Sequence, residues 1–332
     1  MTPAQWQREW QAALRDPAAL LEHLQLDPEL LGPARQAAGL FPLRVPQAYL
    51  ARIRPGDPDD PLLRQVLPLG TEAVATPGFA DDPVGDGASL QTGGIIHKYR
   101  GRALLVATGA CAINCRYCFR RHFPYAEASA SSGQWAEALA YLRGDRTIHE
   151  AILSGGDPLS LNDRRLRELA DGLAELPHLR RIRIHSRLPV VLPSRIDANL
   201  LDWLGGTRLS AVMVIHANHP NELDAGVADA LQRLAAHGVR LYNQAVLLRG
   251  VNDRADVLEA LGERLFDLGV QPYYLHLLDR VQGAAHFEVP ETEACGLMRT
   301  LAARTPGYLL PRLVREVAGE PWKVPIEWTS KG

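Results

Sequence analysis

Residues 103–118 read Ala103-Leu-Leu-Val-Ala-Thr-Gly-Ala-Cys111-Ala-Ile-Asn-Cys115-Arg-Tyr-Cys118. Five apolar residues stopped by a glycine are strand-length rather than helix-length, and this strand delivers a loop carrying three thiols. The same punctuation recurs downstream. Apolar stretches at 151–154, 182–185, 212–216, 241–246 and 272–277 lead into Ser154-Gly-Gly-Asp157-Pro158, His185-Ser-Arg187, His216 with Asn218-His-Pro220, Asn243-Gln244, and His276 with Asp279. Between them lie apolar residues at helical spacing: Leu166, Leu169, Ala170, Leu173 and Leu176; Val227, Ala230, Leu231 and Leu234; Val257, Leu258, Leu261 and Leu265. After the first interval the strands start about 30 residues apart, the size of a βα unit, so the fold class is α/β with six parallel strands covered by helices. Periodicity alone leaves open whether they form a partial barrel or an open doubly wound sheet.

Polar, ligand-capable residues thus follow six successive strands, at the carboxyl ends where barrels and open α/β sheets carry their sites. Upstream, 1–31 has helical spacing at Trp6, Trp10, Ala13, Leu14, Leu20, Leu21 and Leu24, and 42–88 is broken by Pro, Gly and Asp. The expected organisation is a helical cap over 1–40, an irregular connector packed on the core over 41–95, a barrel core over 96–290 and a short C-terminal segment over 291–332.

Composition narrows the function. Among 332 residues, 46% are hydrophobic, and 36 basic against 38 acidic side chains leave a net charge of −2, with no cationic excess for a phosphate backbone. No nucleic acid partner is expected. The N-terminus lacks an apolar run and no window suits a membrane span, so a cytoplasmic location is expected. Four cysteines, three of them clustered, do not make a disulfide framework. The spacing CxxxCxxC suits an iron–sulfur cubane held by three thiolates, its fourth iron left for a ligand. A zinc site built from Cys115, Cys118, His122 and distant Cys295 is the rival, although the paired CxxC arms of zinc ribbons are missing and Cys295 reads as a buried small hydrophobe on a helix. Only three lysines occur, Lys98, Lys323 and Lys331, so chemistry that needs an amine has three candidates. Lys331 is penultimate, and Lys98 sits in a His-Lys-Tyr-Arg run suited to charge contacts.

CxxxCxxC after the first barrel strand resembles the signature of radical S-adenosylmethionine enzymes, and Ser154-Gly155-Gly156-Asp157 resembles their glycine-rich motif that receives the methionine amino group. More narrowly, His97-Lys-Tyr-Arg-Gly-Arg102, Cys118-Phe-Arg-Arg121, Ser154-Gly-Gly-Asp-Pro-Leu159, Ser186-Arg-Leu-Pro-Val-Val-Leu-Pro193, His216-Ala-Asn-His-Pro220, Asn243-Gln-Ala-Val-Leu-Leu-Arg-Gly-Val-Asn-Asp253 and Pro272-Tyr-Tyr274 are similar to the lysine 2,3-aminomutase family, in order, from about residue 40 to 325. The resemblance implies a partial (β/α)6 radical SAM barrel and three cofactors: a [4Fe-4S] cluster on Cys111, Cys115 and Cys118, S-adenosyl-L-methionine, and pyridoxal 5′-phosphate. It implies that free L-lysine is isomerised to β-lysine with an electron from an external donor.

Residue by residue, Lys323 falls where that family has the lysine forming the cofactor's Schiff base. Tyr99 and Arg102 match its cofactor-holding pair, a guanidinium suiting phosphate by its forked donors. His216 and Gln244 match residues contacting S-adenosylmethionine, and Arg120 matches the arginine that grips the substrate carboxylate. Asp279 matches one of two acids binding the ε-ammonium; the second, Asp in ordinary members, is Glu316 here, which moves the carboxylate by about 1.5 Å. His276-Leu-Leu-Asp279-Arg-Val-Gln-Gly-Ala-Ala-His-Phe287 and Gly319-Glu-Pro-Trp-Lys323 are most similar to the branch that makes (R)-β-lysine for a ligase modifying elongation factor P. An ordinary aminomutase giving the (S) product and a non-catalytic zinc-bound scaffold are the alternatives. Typical family members continue into a tail that binds zinc and joins subunits, whereas this chain stops nine residues after Lys323, which leaves monomer and dimer both open.

Overall fold

The computed structural model of the chain describes residues 4–128 and 134–329. A nine-stranded sheet is ordered as the chain is: β1 (Ile95–Tyr99), β2 (Arg102–Thr108), β3 (Glu150–Gly155), β4 (Arg181–Ser186), β5 (Ser210–Ile215), β6 (Arg240–Val246), β7 (Gln271–His276), β8 (Arg312–Arg315) and β9 (Val324–Pro325). Strands β2 to β8 run parallel, with antiparallel β1 and β9 at the two edges. This order decides what periodicity left open. A doubly wound sheet reverses direction at a switch point, whereas here each crossover adds the next strand on the same side. Right-handed crossovers then put every covering helix on one face, and the twisted sheet curls around the other. β9 does not pair with β1, so the barrel is partial.

Two-residue alternation sorts each strand between the two faces. Ala103, Leu105 and Ala107 of β2, Ala151 and Leu153 of β3, and Ile182 and Ile184 of β4 are buried in the core beneath the helices. Their neighbours Arg102 and Leu104, Glu150, Ile152 and Ser154, and Arg183 and His185 line the concave side. A register slip of one residue would exchange the two sets, so the apolar face of each strand fixes what the barrel interior contains. The helices follow the expected spacing: Asp163–Ala174 buries Leu166, Leu169, Ala170 and Leu173, Ala225–Ala236 buries Val227, Ala230, Leu231 and Leu234, and Ala255–Asp267 buries Leu258, Leu261 and Leu265. Asn162 and Asp224 cap the first two by accepting from Arg165 N and Val227 N, which satisfies N–H groups that a helix start leaves open.

Six βα units are present, as expected, and the last, through helix Glu291–Ala302, leads to a seventh parallel strand that the sequence reading did not place. β8 has only four residues, and such a run carries too little alternation to stand out. β1 escaped for a similar reason. The N-terminal helices Gln5–Gln11, Pro17–His23 and Leu31–Leu40 and the connector residues Tyr49, Leu62 and Leu63 join one continuous apolar core that extends to Leu313. Among the described residues no helix is long and apolar enough to cross a membrane.

Candidate active site

A cavity of about 450 Å³ opens at the carboxyl ends of the parallel strands, and every residue to which the family resemblance gives a role lines it. At one end lie Cys111, Cys115 and Cys118 with Ser154, Gly155, Gly156 and Asp157; at the other, Tyr99, Arg102, Asp279, Glu316 and Lys323; Arg120, His216 and Gln244 also face it.

The cysteine loop is held in place by its neighbours. Gly156 N donates to Thr108 O (2.7 Å) and Asp157 N to Ala110 O (2.8 Å), so the glycine-rich loop lies directly on the start of the thiol loop. Glycine is required there: a Cβ on Gly156 would stand 2.6 Å from Ala110 O, and Gly155 has φ +115° with its Cβ position 2.7 Å from Thr108 O. Asp157 turns its carboxylate toward the next loop, accepting from Ser186 Oγ (2.8 Å), Arg187 N (2.8 Å), Leu159 N (3.1 Å) and Leu188 N (3.2 Å). Burial pushes its carboxyl up to about 6 against those bonds. Two buried acids brace the loop from either side. Glu72 accepts from Arg116 Nε (2.9 Å) and Arg121 Nη2 (2.8 Å), while Glu222 accepts from Arg187 Nη2 (2.9 Å), whose Nη1 lies 2.7 Å from Cys115 Sγ. Burial, then the neighbouring thiols, raises Cys118 to about 11 and Cys111 well above its ordinary value. Thiols so placed ionise only against a compensating cation, as cluster iron provides.

From this end a chain of polar contacts runs to the other. Arg120 Nη1 lies 3.3 Å from Ser154 Oγ and its Nε 2.7 Å from Asp86 Oδ2; Lys98 Nζ lies 2.6 Å from Asp86 Oδ1 and 3.7 Å from Glu316 Oε1; Glu316 Oε2 accepts from Lys323 Nζ at 2.7 Å. The Tyr99 hydroxyl also donates to Glu316. Burial alone would raise Glu316, but Lys323, Tyr99 and Lys98 outweigh it and hold it below the usual carboxylate value. Arg102 stacks 4.4 Å over the Tyr99 ring and takes no anionic partner among the described residues. The Asp279 carboxylate likewise has no hydrogen-bond or ion-pair partner among the described residues, and burial pushes it up to about 7.

These features fit the three cofactors the sequence implies. An unpaired guanidinium on an aromatic face beside a lysine suits an aromatic phosphate. Among the described residues Gln244 Oε1 and His276 Nε2 are buried without a hydrogen-bond partner, and both side chains line the cavity, polar atoms that a bound ligand would satisfy. His216 is lowered to about 4, and His185 and His276 well below the ordinary value, by burial and by nearby cations. All three imidazoles are therefore neutral, with His185 Nδ1 3.3 Å from His216 Nε2.

The rival zinc donors are not brought together. His122 Nε2 lies 3.3 Å from Gln282 O, and Cys295, half-exposed rather than buried as expected, points its Sγ at Glu327 O (3.8 Å). Among the described residues no three His, Cys, Asp or Glu side chains converge as a single metal ion requires. Lys98 does make charge contacts, but in β1 and inside the cavity; Lys331 lies outside the described residues. Sequence reasoning missed Asp86, Glu72 and Glu222 as parts of the site, and it placed Arg187 and His276 on the rim without giving either a role. Asp86 and Glu72 sit in the irregular connector with no local signal, whereas the signal for Arg187 and His276 was their position at strand ends.

Residues 105–261 match the Radical SAM superfamily. The chain is 48% identical over 323 residues to a protein named L-lysine 2,3-aminomutase from Escherichia coli (strain K12), covering 97% of this chain and 94% of the relative. It is 49% identical over 311 residues to one of the same name from Haemophilus influenzae, covering 94% and 92%. A solved radical SAM methyltransferase from Sphaerobacter thermophilus aligns with TM-score 0.47 at 17% identity, over 67% of this chain and 68% of that one. A parallel barrel whose rim presents three cysteines beside a glycine-rich loop is that of a radical SAM enzyme, which works with a [4Fe-4S] cluster and S-adenosylmethionine. Within that class the chain belongs to the lysine 2,3-aminomutase family, isomerases that also employ pyridoxal phosphate. The scaffold alternative falls with this assignment.

Proposed function

We propose that the enzyme converts free L-α-lysine into (R)-β-lysine in the cytoplasm, and that a separate ligase attaches the product to elongation factor P. The observation that carries the reading is a cavity lined at one end by three cysteines and at the other by Lys323, with the unpaired carboxyl of Asp279 near Lys323 and Lys98 as well as Glu316 and Asp86. When bound, the cofactors supply reductive cleavage of the sulfonium, a radical that removes hydrogen from substrate carbon, and an electron sink for the migrating nitrogen.

The chain's own residues do the rest. Cys111, Cys115 and Cys118 hold the cluster, and Gly155 and Gly156 let the methionine end approach the backbone. Ser154, Asp157, His216 and Gln244 complete that subsite, Asp157 by fixing the loop. Arg102 and Tyr99 take the phosphate end of the second cofactor on Lys323. Arg120 keeps Nη2 without a partner among the described residues, available to a substrate carboxylate, while Asp279 offers its unpaired oxygens to the ε-ammonium. Glu316 is engaged with Lys323 and Tyr99 and acts at the same end of the substrate. The barrel wall, with Phe41 and the connector residues Val84 and Asp86, keeps water from the reacting atoms. Glu316, one methylene longer than the family's Asp, and the motifs around Asp279 and Lys323 support the (R) branch.

Anaerobic turnover of L-lysine with S-adenosylmethionine and reductant, read by chiral chromatography, tests this. (R)-β-lysine is expected, with Glu316→Asp shifting the enantiomer ratio; (S)-β-lysine would move the enzyme to the ordinary branch, and no β-lysine would end the reading.

A further inference from the structure

We propose that Arg187 is a positioning residue that sets the reduction potential of the cluster through Cys115. The inference rests on the cysteine triad holding that cluster. Arg187 follows the last residue of β4, and its side chain is only 6% exposed. Its Nη1 stands 2.7 Å from Cys115 Sγ, and its backbone N–H is fastened to Asp157 Oδ2 at 2.8 Å. On the far side Nη2 donates to Gln65 Oε1 (2.7 Å) and Glu222 Oε2 (2.9 Å). Glu222 is fully buried and held in turn by Asn218 N (2.9 Å) and His219 N (3.1 Å). The guanidinium therefore has one orientation, with one edge committed to an acid and the other to the sulfur. Among the described residues the Cys118 thiol takes a backbone N–H, from Arg120, and Cys115 is the cysteine whose sulfur meets a cationic side-chain donor.

A thiolate that accepts a charge-assisted hydrogen bond gives less electron density to iron, and the site becomes one unit more negative when an electron enters from the external donor. A buried cation against the sulfur stabilises that more negative state and raises the potential. Glu222, behind Arg187, acts in the opposite sense and moderates the effect. Arg187 gains and loses nothing itself: the electron passes from donor to cluster to S-adenosylmethionine.

Potentiometric titration of the anaerobically reconstituted full-length enzyme, followed by electron paramagnetic resonance, tests the proposal, with iron and sulfide per chain measured on each sample. Arg187→Met keeps an unbranched apolar stem, about two atoms shorter, and loses charge and donors. It should retain iron and sulfide while its reduction equilibrium falls about tenfold, which is 59 mV for a one-electron couple. Arg187→Lys should recover part of that shift. Glu222→Gln, leaving the guanidinium uncompensated, should move the midpoint in the opposite direction, an outcome that mere loosening of the loop does not produce. A fully loaded Arg187→Met enzyme with an unchanged midpoint overturns the inference, and so do shifts of one sign in Arg187→Met and Glu222→Gln. If Arg187→Met assembles no cluster, Arg187→Lys and Glu222→Gln decide by the same signs, and two unchanged midpoints refute it. Wild-type enzyme that binds no iron or sulfide would overturn the triad assignment itself and this inference with it.

Discussion

Lys98 and Lys323 face one cavity, and their partners separate their roles. Lys98 Nζ is held by Asp86 (2.6 Å) and by Val84 O (2.8 Å) with a side chain 12% exposed, whereas Lys323, 24% exposed, has Glu316 as its one hydrogen-bond partner among the described residues, its Nζ lying 5.9 Å over the Tyr274 ring. An amine with one removable partner is the better nucleophile toward an aldehyde. Borohydride reduction of the pyridoxal phosphate-loaded enzyme, with peptide mapping by mass spectrometry, should place the adduct on Lys323, and Lys323→Ala should carry none; an adduct on Lys98 would reassign the role. Asp279 carries a second prediction. Burial raises its carboxyl to about 7, so the neutral acid prevails below that pH and the carboxylate above. Ammonium binding needs the carboxylate, so the KM for lysine should fall roughly tenfold per pH unit up to about 7 and then level. Asp279→Asn should flatten that profile at a high KM. The sign for stability is the reverse: a raised acid pKa favours the folded state below the ordinary value of 3.8, and that contribution is lost as the pH rises through about 7.

At the scale of elements, the site depends on two loops touching through backbone. The loop after β3 lies on the loop after β2 by two hydrogen bonds, and no side chain fits between them at Gly156. Gly156→Ala should push the loops apart and destabilise the fold by about 2 kcal/mol. S-adenosylmethionine binding measured by calorimetry should weaken more than pyridoxal phosphate binding, because only the former subsite lies at this contact. The six longer parallel strands and their helices were legible from period and length. β8 and β9 were not: they are short, and β9 exists because the chain folds back on β8 and brings Lys323 to the cavity mouth. A two-residue strand has no pattern of its own; its pairing is a tertiary fact.

Across the whole molecule, the connector before the barrel proves to be part of the site. Glu72, fully buried, clamps Arg116 and Arg121 of the cysteine loop, and Arg116 Nη1 also donates to Phe41 O at 2.7 Å. Desolvation of such charges is costly, and removing the acid leaves two buried guanidinium groups uncompensated, a loss of about 3–5 kcal/mol. Glu72→Gln should show that loss in denaturant unfolding and should also lower iron retained per chain, although Glu72 touches no cysteine. Unchanged stability would mean that the clamp carries no weight. A similar role falls to Asp86, which reaches from the connector to Arg120 and Lys98 and joins the two ends of the cavity.

The amino-acid order by itself determined the βα repeat, the placing of ligand-capable residues at strand ends, the spacing of three thiols and the shortage of lysines. Each is a local property, readable because strand and helix periods are short and because thiolate and amine chemistry admits few residue types. What only the tertiary structure decided is which of those residues share a cavity and what each already holds. Whether Lys98 or Lys323 keeps a free face, why Asp279 is unpaired while Glu316 is not, and that Glu72, Asp86 and Glu222 belong to the site at all depend on contacts between segments far apart in the chain. A buried charge finds its partner across the fold rather than along the chain, and no pattern in the neighbouring residues announces it.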